Sequence, residues 1–225
     1  VNPCDTDPGP GTGECSGDVA SFPFTESFET NFGQWAQDTT DDLDWTRTSG
    51  TTPSTGTGPD SAADGTSYIF VEASGNGSGY PNKKAILNSP CLNFSSVSSP
   101  SLTFQYHMLG SAINSLTVEA RTDNTGNWTS VFSKNGAQGS AWNAATVDLS
   151  AYGGKASVQL RFTVVTGSGT NGWQSDIAID NVSIKGSGTD PNPPTEYCAS
   201  NGNSTQYEYI KNVKLGTIDN TTNAE

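Results

Sequence analysis

Histidine is almost absent from this chain. His107 is the one imidazole in 225 residues, so a scheme that needs a His base beside a nucleophile has one candidate. No GxSxG elbow accompanies it, and it alternates with Tyr106 and Met108 in a strand pattern, which marks it as a structural side chain of a sheet. Cations are scarce too. Ten Lys plus Arg face 23 Asp plus Glu, a formal charge of −13, and such a field repels nucleic acid and anionic membrane surfaces, so neither is an expected partner. Long apolar runs are missing, and Val1 to Cys15, VNPCDTDPGPGTGEC, has neither the basic start nor the apolar stretch of a signal peptide or anchor. That opening reads as a linker from an upstream domain, residues 1–19, and the chain as an internal piece of a longer protein. Cysteine is sparing: Cys4, Cys15, Cys91 and Cys198 show no CxxC and no Cys/His spacing for zinc, which points to disulfides in a secreted protein. Cys15 with Cys91 is the favoured pair because both flank strands. Cys4 and Cys198 are left to each other or to partners elsewhere.

What the chain has in quantity is glycine, asparagine and short β-forming runs. Strand patterns fall at Ser67 to Ala73, Ser101 to His107, Ser115 to Arg121, Ala145 to Leu149, Ser157 to Val165 and Asp176 to Ile184. Between them stand SGNGSGYPN, TDNTGN, KNGAQGS and TGSGTNG, turn clusters rich in residues that tolerate positive φ. No helical period extends beyond a turn or two. Short strands separated by Gly-rich turns predict an all-β, two-sheet antiparallel sandwich spanning residues 20–185. GSGTDPNPPT, from Gly186, begins a stiff linker over 186–196.

The ordered series FETNFGQW at Phe28 to Trp35, DDLDW at Asp41 to Trp45, GTSY at Gly65 to Tyr68, AILNSP at Ala85 to Pro90, LTFQYHMLG at Leu102 to Gly110, LTVEA, GAQGSAW, VDLSAY and DIAIDNVSI resembles the MAM domain family. The resemblance implies a jelly roll, used outside the cell in adhesion, dimerisation or as an accessory beside a catalytic domain. The family's usual cysteines near its FE and LTF motifs are missing at those positions, so dimer modes that depend on them are not implied. After the linker, YCASNGNSTQYEYIKNVKLGTIDN from Tyr197 looks like the opening of a GEVED domain, over 197–225. That likeness implies a secreted, multidomain bacterial parent whose neighbouring domains are covalently linked to this one.

Glycosidase chemistry needs paired carboxylates, and Glu29, Asp44, Glu72, Glu119 and Asp148 supply raw material. Glu72, Glu119 and Asp148 occupy outward positions of alternating strands, where solvation is the default, so an enzyme is not expected. A structural calcium ion is the better site hypothesis, since calcium takes six to eight oxygen ligands. Asp180, beside Ile179 and Val182, is costly to bury unless paired or coordinated. By resemblance to MAM domains and calcium-bearing jelly rolls, the metal ligands are Glu29, Asp60, Asp64 and Asp180. Trp35, Trp45 and Trp142 fall on motif positions and are expected in the core, while Trp128 fits core or surface. Trp173, in TGSGTNGWQS, and Tyr80, in SGNGSGYPN, lie in polar loops where binding concentrates. With Asn171, Gln174 and Asn82 they form the candidate ligand site. The partner is an extracellular polysaccharide, held against aromatic faces and amides, or a protein polymer in adhesion, dimerisation or docking on a parent protease.

Overall fold

The computed structural model describes residues 18–122, 127–187, 212–215 and 218–221. The chain divides into two units, Val1–Pro191 and Asn192–Glu225. In the first unit the strands are β1 Asp18–Val19, β2 Phe24–Glu26, β3 Ala36–Gln37, β4 Thr46–Ser49, β5 Ser67–Val71, β6 Lys84–Asn88, β7 Cys91–Leu92, β8 Ser99–Met108, β9 Ser115–Thr122, β10 Thr129–Asn135, β11 Asn143–Asp148, β12 Val158–Val165 and β13 Ile177–Ser187. The second unit shows an antiparallel hairpin of β14 Asn212–Leu215 and β15 Ile218–Thr221.

Two sheets form the sandwich. In the first, β12 lies between β9, which carries β10 on its far side, and the consecutive strands β6 and β7, which carry β3 and β1 in turn. In the second, β8 lies between β11 and β13, and β13 meets β5 along its first part and β2 along its second, with β4 outside β5. The pairing is antiparallel as expected, except that β1 runs parallel to β7, with Asp18 opposite Cys91. Each expected strand occurs within a few residues of its predicted limits. β13 runs on through Gly186 and Ser187, which pair with Pro100 and Ser99, so the ladder extends into the Gly/Pro-rich stretch.

Alternation sorts the side chains. Leu102, Phe104, Tyr106 and Met108 of β8 face Leu116, Val118 and Ala120 of β9 and Leu160, Phe162 and Val164 of β12 across one buried core. Phe104 packs edge-on to Phe162 at 5.0 Å between centroids, and Trp35 lies 5.4 Å from Phe162; such ring pairs add ~0.5–1.5 kcal/mol beyond their burial. Trp35 and Trp45 are buried, as expected.

A bulge in β13 keeps the pattern in phase with this core. The register against β8 slips between Asp180 and Ser183, and Asn181 takes φ 48°, one of the few residue types that do so at modest cost. Ile177 and Ile179 before the bulge and Val182 and Ile184 after it therefore all point inward, although their spacing breaks the period of two. The outer face of the second sheet carries its own small cluster of Tyr68, Phe70 and Ala178, packed with Ala62 and Trp142. Ala62 belongs to the long β4–β5 connection, which crosses this face.

Candidate functional site

Two carboxylates hold that connection down. Asp180 is fully buried and accepts the backbone N–H groups of Ala63 at 2.9 Å, Asp64 at 3.0 Å and Asn181 at 2.7 Å. Burial pushes its pKa up, against those three donors. Glu29 accepts the N–H groups of Thr66 at 2.9 Å and Ser67 at 3.0 Å and the Thr66 hydroxyl at 2.7 Å, which hold its pKa down. Arg47 donates to the carbonyls of Phe28 and Glu29 and to the Ser67 hydroxyl, fixing the strand end from which Glu29 projects. Gly65 is required beneath Glu29, since a Cβ there would lie 2.3 Å from Oε1.

Glu29 follows β2, and Asp180 sits at the bulge inside β13. The structure brings both onto one loop, where their oxygens face N–H donors. Three backbone N–H groups on Asp180 and two on Glu29 compete with any cation for those oxygens. Asp60 and Asp64 are exposed, and among the described residues no group of three or more His, Cys, Asp or Glu side chains is placed to hold a metal. The DDLDW run caps strands as well: Asp42 accepts the Lys84 N–H at 2.9 Å and pairs with Lys83 at 3.3 Å.

The second predicted cluster converges at one end of the sandwich. There the β5–β6, β8–β9, β10–β11 and β12–β13 connections are tied together by backbone bonds from Asn82 to Gly167, Ala112 to Gln174 and Gly136 to Asn114. Tyr80 and Trp173 are both half-buried. The Tyr80 ring lies on Gly172, where a Cβ would come within 2.3 Å of Cδ2, so the loops of Tyr80 and Trp173 are neighbours. The side-chain carbonyl of Gln174 accepts the Ser111 hydroxyl. Asn82, at φ 53°, is 3.4 Å from the Asn114 amide, which also donates to the Thr166 carbonyl at 3.3 Å. Beside these loops opens a groove of about 670 Å³, lined by Ser111, Ala112, Ile113, Asn114, Asn135, Gly136, Gly167, Ser168, Thr170 and Asn171. Its polar lining is amide and hydroxyl, with no titratable side chain.

His107 meets its expectation: it is buried, Nε2 lies 3.1 Å from the Ser140 carbonyl, the ring packs on Trp142 at 5.5 Å, and burial lowers its pKa. Trp128 belongs to the surface, with the guanidinium groups of Arg121 and Arg161 4.4 and 4.2 Å from its ring centroid. Arg161 in turn pairs with Glu119 at 2.7 Å.

Glu72 departs from the expected solvated role. Its register neighbour across the β5–β13 ladder is Asp176, since Val71 pairs with Ile177. Asp176 is fully buried and accepts the Ala73 N–H at 2.9 Å through Oδ1; Glu72 accepts the Ser74 N–H at 2.8 Å through Oε1. Oδ2 of Asp176 and Oε2 of Glu72 are both buried without a hydrogen-bond partner. Burial, with the Glu72 charge beside it, pushes Asp176 up to about 7. The sequence signal for this pair exists only once the strand register is known.

Comparison with known proteins gives a family match for residues 27–189 to the MAM domain, meprin/A5/mu. The rat MAM domain-containing glycosylphosphatidylinositol anchor protein 1 is 36% identical over 162 residues, covering 67% of this chain and 16% of that protein. The rat anchor protein 2 is 31% identical over 192 residues, covering 76% of this chain and 19% of that protein. This chain therefore spans less than a fifth of these relatives. Among solved structures, the K1 cleaved adhesin domain of Lys-gingipain from Porphyromonas gingivalis W83 superposes with a TM-score of 0.54 at 22% identity, covering 75% of this chain and all of that domain. That likeness is one of fold.

Proposed function

The chain belongs to the MAM domain family, and on that premise we propose that it is a non-catalytic binding module that holds an extracellular polysaccharide in the groove at its loop end. One observation carries the reading: the 670 Å³ groove is walled by the hydroxyls of Ser111, Ser168 and Thr170 and the amides of Asn114, Asn135 and Asn171. Such groups exchange hydrogen bonds with neutral sugar hydroxyls. The lining has no cation to recruit an anionic ligand. It offers no acid or base for hydrolysis. The half-buried rings of Trp173 and Tyr80, in the adjoining loops, are the stacking surfaces of the same site, with Asn82 and Gln174 bracing it.

The finer organisation belongs to the same proposal. A linker precedes the module, and the tail from Tyr197 opens a GEVED-type domain of a secreted, multidomain bacterial parent; the names of the anchor-protein relatives support placement at the cell exterior. Cys15 pairs with Cys91, a reading supported by the parallel β1–β7 pairing, which brings the chain just after Cys15 alongside Cys91. Cys4, Cys15 and Cys198 themselves lie outside the described residues. A structural calcium ion also forms part of the proposal, with its seat argued in the next subsection.

Affinity electrophoresis of the purified chain through gels containing neutral and acidic polysaccharides tests the binding reading. We expect retardation by a neutral polymer, weakened about tenfold or more in Kd by Trp173→Ala or Asn171→Ala, in line with the loss of one stacked ring or a pair of hydrogen bonds. Unretarded migration in every gel would overturn it in favour of a protein-adhesion module.

A further inference from the structure

The carboxylates of Glu72 and Asp176 differ from every other described acid in the way they are left. Each has one oxygen satisfied by a backbone N–H and a second oxygen buried with no partner. As cross-strand neighbours on the outer face of the second sheet they stand at a spacing of about 5 Å between Cβ atoms. Two bare, buried carboxylate oxygens at that spacing repel one another, and a buried acceptor without a donor marks an unplaced ion, water or proton. The ion pairs of the described residues lie elsewhere, at Asp42 and Glu119, so no side-chain cation relieves this couple.

We propose that Glu72 and Asp176 hold a calcium ion, with Oε2 and Oδ2 as its carboxylate ligands. The chemistry around them favours a hard cation, because the nearby donors are oxygen. The Thr57 hydroxyl oxygen accepts the Asp176 N–H at 2.8 Å, and the carbonyls of Glu72 and Ala73 line the turn closed by Gly79, where a Cβ would lie 2.6 and 2.3 Å from them. Oxygen sets of carboxylates, carbonyls and hydroxyls select calcium over softer transition metals. The seat is distinct from Glu29 and Asp180, whose oxygens face N–H donors. It would also clip the start of the Tyr80 loop to the end of the Trp173 loop, setting the two walls of the aromatic site in place.

Isothermal titration of calcium chloride into the chelator-stripped full chain tests this. The expected result is uptake of a single ion by the parent, weakened about tenfold or more in Asp176→Asn and in Glu72→Gln, and unchanged in Glu29→Gln. Near-ultraviolet circular dichroism checks that each variant is folded. Should Asp176→Asn fail to fold, Glu72→Gln, at the half-buried member, carries the test alone. Calcium uptake that persists in folded Glu72→Gln, or that is lost in Glu29→Gln instead, overturns the assignment. So does a parent chain that takes up no calcium at millimolar concentration, which would leave the two acids sharing a proton. Polysaccharide retardation measured in chelator is scored separately, so failure here and failure of the binding reading are distinguishable.

Discussion

Asp180 is the side chain on which the β4–β5 connection most depends. Truncation to Ala would leave the N–H groups of Ala63, Asp64 and Asn181 without their acceptor, beneath a loop that covers Tyr68 and Phe70. Hydrogen bonds to a charged group contribute about 1.5–3 kcal/mol each, and orphaned buried donors add a desolvation cost. Part of that loss returns as water reaches the loosened loop. We expect Asp180→Ala to lower the unfolding free energy by about 2–4 kcal/mol in urea titration, and Asp180→Asn, which keeps an acceptor oxygen, to lose less. Equal losses in the two variants would show that the carboxylate's volume, not its acceptor oxygens, holds the loop. This residue was legible in the sequence as one that must be paired, because Ile179 and Val182 beside it announce a buried strand. What pairs it was not legible: two of its three partners are amides more than a hundred positions away, and backbone donors leave no trace in residue identity.

At the level of elements, legibility followed length. β8, β9, β12 and β13, of 8 to 11 residues, have room for several alternations and were read from the pattern. β1, β3 and β7, of two residues each, have none and owe their pairing to the strands beside them. The loop end was half legible. Gly and Asn content marked the connections, but their convergence depends on contacts such as Tyr80 on Gly172. Gly172→Ala probes that contact directly. A Cβ 2.3 Å from Cδ2 must push the ring aside, and a ring can swing outward at less cost than a buried backbone can shift. We expect the melting temperature to fall by roughly 2–4 °C, equivalent to about 1 kcal/mol, while polysaccharide retardation falls by about tenfold or more. Retardation unchanged at that melting temperature would remove Tyr80 from the site.

For the molecule as a whole, the all-β sandwich followed from composition and alternation because both record which face of each strand meets the core. The candidate metal seat did not, because Glu72 and Asp176 look like ordinary outward acids until the register sets them side by side. One further property follows from the way Glu29 and Asp180 grip residues 63–67. Four amides of that stretch, those of Ala63, Asp64, Thr66 and Ser67, end on carboxylates that are anchored in the sandwich. A connection without a ladder of its own normally trades its amide protons with solvent through small local openings. Here release requires two clasps to open, Asp180 on β13 for the first two amides and Glu29 just after β2 for the other two, so in deuterium exchange monitored by NMR these four protons should keep the slow clock of the central strands. Fast exchange at all four would mean that the connection breathes independently of the sheets it covers.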